Sequence, residues 1–153
     1  MMIRRFALLA LWMTMPLLTG CGSNYVIRGK AVRGDFSSVS FVSVDDSRLQ
    51  NEGVTNVEVF LIRDPDRGNR KVAARANTND VGEFVMPVNL YGAGWMIEQW
   101  LIHTYRPGFQ SAQSLLSLPK PEQDLVLLVT LGRGVAELPH ISNDLRRRYE
   151  HFK

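Results

Sequence analysis

Ala73 to Pro87, AARANTNDVGEFVMP, is the stretch on which the reading of this 153-residue chain turns. Asp80 is a short acidic side chain able to bond its own backbone, and Gly82, two places on, supplies a conformation that β-branched residues resist. Asn79-Asp80-Val81-Gly82 therefore reads as a tight turn. Beyond it, Phe84 and Met86 fall on one face and Glu83 and Val85 on the other, the alternation of a half-buried strand. The stretch is predicted to be a β-hairpin.

Upstream of it, Gly53 to Ile62 (GVTNVEVFLI) puts Val57, Val59 and Leu61 on one face, while Phe60 and Ile62 make its far end apolar on both sides, as in a central strand. Asp64 to Arg70 (DPDRGNR) is a turn by composition. Tyr25 to Arg33 sets Tyr25, Ile27 and Ala31 against Arg28 and Lys30, which suits a partly exposed first strand, and Gly34-Asp35 turns it. Val39 to Val44 (VSFVSV) is β-rich with ambiguous facing, Val39 and Phe41 against Val42 and Val44, and the polar run Asp45 to Gly53 reads as a loop. Downstream, Asn89 to Gly94 (NLYGAG) is a glycine-bearing loop. Trp95 to Arg106 follows as a longer strand, Trp100, Ile102 and Thr104 opposite Leu101, His103 and Tyr105, closed by Pro107-Gly108. Phe109 to Leu118 and Asp124 to Leu131 complete the set, the last apolar on both faces. Seven or eight short strands between Gly, Pro, Asn and Asp turns, with no helical period before residue 140, predict an all-β Greek-key sandwich.

The N-terminus has another character. Two arginines in Met1 to Arg5 precede the 13-residue run Phe6 to Leu18, too short to cross a bilayer and suited to a secretion signal. Leu18-Thr19-Gly20-Cys21 then resembles the lipobox of bacterial lipoproteins. The resemblance implies that the Cys21 thiol takes a diacylglycerol, that the bond after Gly20 is cut, and that the new amino group is acylated, giving the multiple chains that firm anchoring needs. Removing residues 1–20 takes away two arginines and no acid, so the mature chain of 133 residues carries a formal charge of +1. The basic precursor is thus no argument for a nucleic-acid partner. Cys21 is the only cysteine. No intramolecular disulfide is available, and the domain must hold together by core burial, for which its length suffices.

Gly29-Lys30-Ala31-Val32, Gly53-Val54 with Val57-Glu58-Val59, Thr78-Asn79-Asp80-Val81-Gly82-Glu83-Phe84, and Trp100 to Tyr105 with Pro107-Gly108-Phe109 resemble the carboxypeptidase regulatory-like group. That resemblance covers about residues 25–132 and implies a transthyretin-like sandwich, with extra sequence at Asp35 to Gln50 and Tyr91 to Ile97. The expected organisation is a signal peptide at 1–20, a lipidated tether at 21–24, the sandwich at 25–132 and a tail at 133–153. Within the tail, Asn143 would cap a short helix, Asp144 to Phe152, with Leu145, Tyr149 and Phe152 on one face.

Catalytic patterns are few. His103, His140 and His151 match no zinc or nucleophile spacing, and His103, beside Tyr105 in a strand, is read as a satisfied structural histidine. Among transthyretin-like sandwiches, hydroxyisourate hydrolase carries a Tyr-Arg-Gly-Ser ending, whereas this chain ends Arg148-Tyr149-Glu150-His151-Phe152-Lys153. Intradiol dioxygenases need two tyrosines and two histidines around iron, and His103 and Tyr105 match only in type. No G-x-S-x-G is present. Asp64, Asp66 and Asn69, and Asp45-Asp46, offer hard oxygens without the spacing of a calcium loop, and turn chemistry accounts for them. No cofactor or metal is expected. Tyr91, Trp95 and Trp100, around Gly92-Ala93-Gly94, raise a glycan- or small-ligand-binding alternative, Trp95 being the better placed tryptophan. The expectation is a non-catalytic lipoprotein of the bacterial envelope, held to a membrane through lipid on Cys21 and offering its sandwich to a protein or glycan partner.

Overall fold

Short alternating segments bury their apolar faces only by pairing into sheets and stacking those sheets. The computed structural model of the chain, which describes residues 25–63, 65, 70–90, 93–94 and 98–139, shows that arrangement. The described residues form β1 (Tyr25–Arg33), β2 (Ser38–Ser43), β3 (Glu58–Arg63), β4 (Lys71–Asn77), β5 (Glu83–Val88), β6 (Trp100–Tyr105), β7 (Gln113–Leu116) and β8 (Leu125–Leu131). One four-stranded sheet has the order β2-β8-β1-β5 and the other β4-β3-β6-β7. β1 and β8 run parallel, with Gly29 level with Leu127. All other pairings are antiparallel. The fold is an all-β sandwich, as the turn spacing predicts. The C-terminal helix expected at 144–152, the tether and Cys21 lie outside the described residues.

Both segments that are apolar on two faces are interior strands. β8 lies between β2 and β1, and β3 between β4 and β6. From them Val59, Leu61, Leu127, Val129 and Leu131 enter one core with Ile27, Ala31, Val39, Met86 and Ile102. On the outer face of the first sheet, Val32, Val42 and Leu128 form a second, small cluster with Leu49 packed on it. Leu49 belongs to a 3-10 turn, Ser47–Gln50, inside the segment read as plain loop. Asp46 caps that turn by accepting from the Arg48 amide at 2.9 Å, and Lys30 Nζ donates to the Leu49 carbonyl at 2.7 Å. The cluster resolves the ambiguous facing of β2. Val39 and Phe41 pack on the main core, Val42 packs outward under Leu49, and Val44 is exposed. β6 begins at Trp100 rather than Trp95, and β7 is shorter than the run Phe109 to Leu118.

The stretch Ala73 to Pro87 is not a hairpin. β4 pairs with β3 in one sheet, β5 pairs with β1 in the other, and residues 78–82 carry the chain between sheets. A hairpin and a cross-sheet corner share one local signature, two strands about a glycine turn; they differ only in which distant strand each arm meets. Three residues hold the corner. Thr78 is buried, its hydroxyl donating to the Val54 carbonyl at 2.7 Å and accepting from the Val57 amide at 2.9 Å. Asn79, not Asp80, supplies the turn acceptor, its Oδ1 taking the amides of Val81 at 3.1 Å and Glu83 at 2.8 Å. Gly82 has φ +80° and accepts the Ala31 amide at 2.8 Å.

Candidate functional site

Two places on the sandwich gather polar groups around buried rings, and the first is the end where β1 and β6 begin. Register pairs Arg63, last in β3, with Trp100, first in β6, so both point to the core side. The Trp100 side chain is 1% exposed and belongs to the main core. The Arg63 guanidinium sits 5.5 Å from its ring centroid, a cation on a π face, and pairs with Glu98 at 2.7 Å. The other Glu98 oxygen, Oε2, is buried and has no hydrogen-bond partner among the described residues. Ring, cation and carboxylate thus cap the core in sequence. This corrects the reading of Trp100 as an exposed stacking face: its ring fills the core. Tyr91 and Trp95, the other two residues of that proposed aromatic site, lie outside the described residues.

Tyr25, at the same end, is buried, and its hydroxyl donates to the Pro119 carbonyl at 2.9 Å. Gly94 packs so closely on its ring that a Cβ there would lie 2.5 Å from Tyr25 Cε2. Burial pushes the phenol from its ordinary 10.0 up to about 12. The folded state therefore holds this proton more tightly than the unfolded chain does. The resulting stability is complete below pH 10 and declines as pH rises toward 12. Alkaline titration of the fold by circular dichroism should show a loss between pH 10 and 12 that is smaller in Tyr25→Phe; equal losses in both proteins would remove Tyr25 as its source.

The second place surrounds His103. It is 5% exposed on the outward side of β6, between Phe60 of β3 and Gln113 of β7. Its Nε2 lies 2.8 Å from the Glu137 carbonyl, which also accepts from the Ser111 hydroxyl at 2.8 Å, while the Glu137 amide donates to that hydroxyl at 2.8 Å. The Phe60 ring is 6.5 Å away, tilted by 54°. A histidine bonded to a main-chain carbonyl, with no carboxylate or nucleophile bonded to it among the described residues, clamps the segment after β8 to the sheet. Upstream the same segment is held by a bridge between Phe109 and Arg133.

Among the described residues, no group of three or more His, Cys, Asp or Glu could hold a metal ion. Asp46 is committed to Arg48, which donates to its two oxygens at 2.9 and 2.7 Å and thereby holds its carboxyl down to about 2. Asp64, Asp66, Asn69, His140 and His151 lie outside the described residues. Sequence reading missed Arg63 and Glu98, which are 35 positions apart. The one local signal was a charged residue closing a strand otherwise apolar on both faces. No family model, curated protein or solved structure matches this chain.

Proposed function

We propose that this chain is a non-catalytic lipoprotein of the bacterial envelope, its β-sandwich serving as a protein-interaction module beside the membrane. The observation that carries the proposal is the position of Tyr25. It is already a core residue of β1, bonded to Pro119, four positions after the cysteine of Leu18-Thr19-Gly20-Cys21. A lipid on Cys21 would then reach the sandwich through Gly22, Ser23 and Asn24 alone, a span of at most roughly 14 Å. The glycan- or small-ligand-binding alternative loses Trp100 to the core and rests on Tyr91 and Trp95.

The test is intact mass and membrane fractionation of the wild type beside Cys21→Ser in a bacterial host. A wild type shortened by residues 1–20, bearing lipid mass and pelleting with membranes, beside a variant that does neither, is the expected result. Two unlipidated proteins would overturn the anchor, and with it the placement at the envelope.

A further inference from the structure

The open edges of a sandwich are rows of unpaired main-chain donors and acceptors, usually guarded by charge, proline, bulges or shortness. Among the described strands, three of the four edges are guarded. β5 carries Glu83 and Pro87. β4 carries Lys71 and Arg75, and its register with β3 shifts between Leu61 and Ile62. β7 has four residues. β2, Ser38–Ser43 (SVSFVS), has six residues with no charge, proline or glycine, and among the described strands it pairs only with β8. It is flanked by two exposed apolar residues, Phe36 at 68% and Val44 at 51%.

We propose that β2 pairs antiparallel with β2 of a second copy of this chain about a two-fold axis at Ser40, joining two four-stranded sheets into one of eight. An isologous contact is reciprocal, and core-facing residues must stay level with core-facing residues. Both conditions place the axis at a residue, not between two. At Ser40 it sets Val39 level with Phe41 of the partner on the core side, and Ser38 level with Val42 of the partner on the outer side. Moving the axis to Phe41 sets Val39 level with Ser43 instead, and moving it to Val39 leaves only Ser38 to Ser40 paired. The strand is uncharged, so two copies meet without like-charge repulsion. The pairing does not depend on the lipid anchor. If both hold, the two tethers leave at opposite ends of the joined sheet, and both reach one bilayer only with the strands lying along its surface.

The test uses the full-length chain carrying Ser40→Cys, in the wild-type and in the Cys21→Ser background, under mild oxidation. The Ser40 side chain is exposed, so the substitution leaves the core intact. On the axis, the two Cα atoms would stand about 4.5–5.5 Å apart, within disulfide reach. A reducible dimer is expected in both backgrounds. It should be absent from Ser43→Cys in the Cys21→Ser background, whose two copies lie roughly 20 Å apart in this register. Ser40→Lys, which sets like charges opposite each other, should weaken dimerisation in sedimentation by roughly tenfold or more. No cross-link from Ser40→Cys, equal cross-linking from Ser43→Cys, or an unchanged Ser40→Lys would each overturn the pairing. Failure of the anchor shows separately, as a wild type without lipid mass, while Ser40→Cys in the Cys21→Ser background still cross-links.

Discussion

Gly82→Val should lose about 3 kcal/mol or more of folding stability, the sum of strain at a left-handed backbone position and overpacking against neighbouring main chain. Gly82 has φ +80°, and a Cβ there would lie 2.5 Å from the Ala31 carbonyl oxygen and 2.7 Å from Gly53 Cα. Neither neighbour is a side-chain tip that can swing away. Ala31 is in the middle of β1, and its carbonyl accepts the Val54 amide at 2.8 Å, so displacing it disturbs both the first sheet and the 53–57 segment. A loss of this size is a large part of the roughly 5–15 kcal/mol that stabilises a domain. Urea denaturation of the variant beside Val81→Ala measures it. Val81 is exposed next door, and its truncation should stay within about 0.5 kcal/mol of wild type. A Gly82→Val protein within about 1 kcal/mol of wild type would mean that the corner does not hold its glycine in that conformation.

Trp100→Ala should cost about 3–5 kcal/mol, the range for emptying a buried aromatic site. The indole fills the end of the core beneath Arg63, so its removal opens a cavity and leaves the guanidinium over empty space. A ligand-stacking residue on an open face would behave differently, with near-neutral stability and its loss felt in binding. Denaturation midpoints of Trp100→Ala and Trp100→Phe separate the two, Phe being expected to recover part of the loss because it refills part of the space. A near-neutral Trp100→Ala would return Trp100 to the list of exposed candidates.

Facing was legible wherever composition was decisive. The apolar runs of β3 and β8 announced interior strands, since only a strand covered on both sides tolerates apolar residues on both. The alternation of β1 and β5 named most of their buried apolar residues, Tyr25, Ile27 and Ala31 in one and Phe84 and Met86 in the other, but not Val32 or Val88. Asp80 and Asn79 could not be told apart as the turn acceptor, because both side chains offer a carbonyl-type oxygen at the same reach. β2 was ambiguous for a physical reason as well. Its Val42 is buried on the outer face only because Leu49, seven residues on, folds back over it. At the candidate site, Trp100 beside a glycine-bearing loop looked accessible. The cation that covers it comes from another strand.

What this chain determined by itself is its local alphabet: short strands, glycine and asparagine turns, which residues of most strands face inward, and an N-terminus resembling a lipobox. These follow from side-chain size, polarity and period, which act over a few residues. Tertiary structure decided the rest. It sent the two arms of Ala73 to Pro87 into different sheets, buried Trp100 under Arg63 and Glu98, tied His103 to the carbonyl of Glu137, and left β2 as the one edge strand among the described residues that neither charge, proline, bulge nor shortness guards. Each of these depends on which strands pair across long separations, and pairing is settled by how whole apolar faces fit together, a sum over the entire core that no short window of sequence contains.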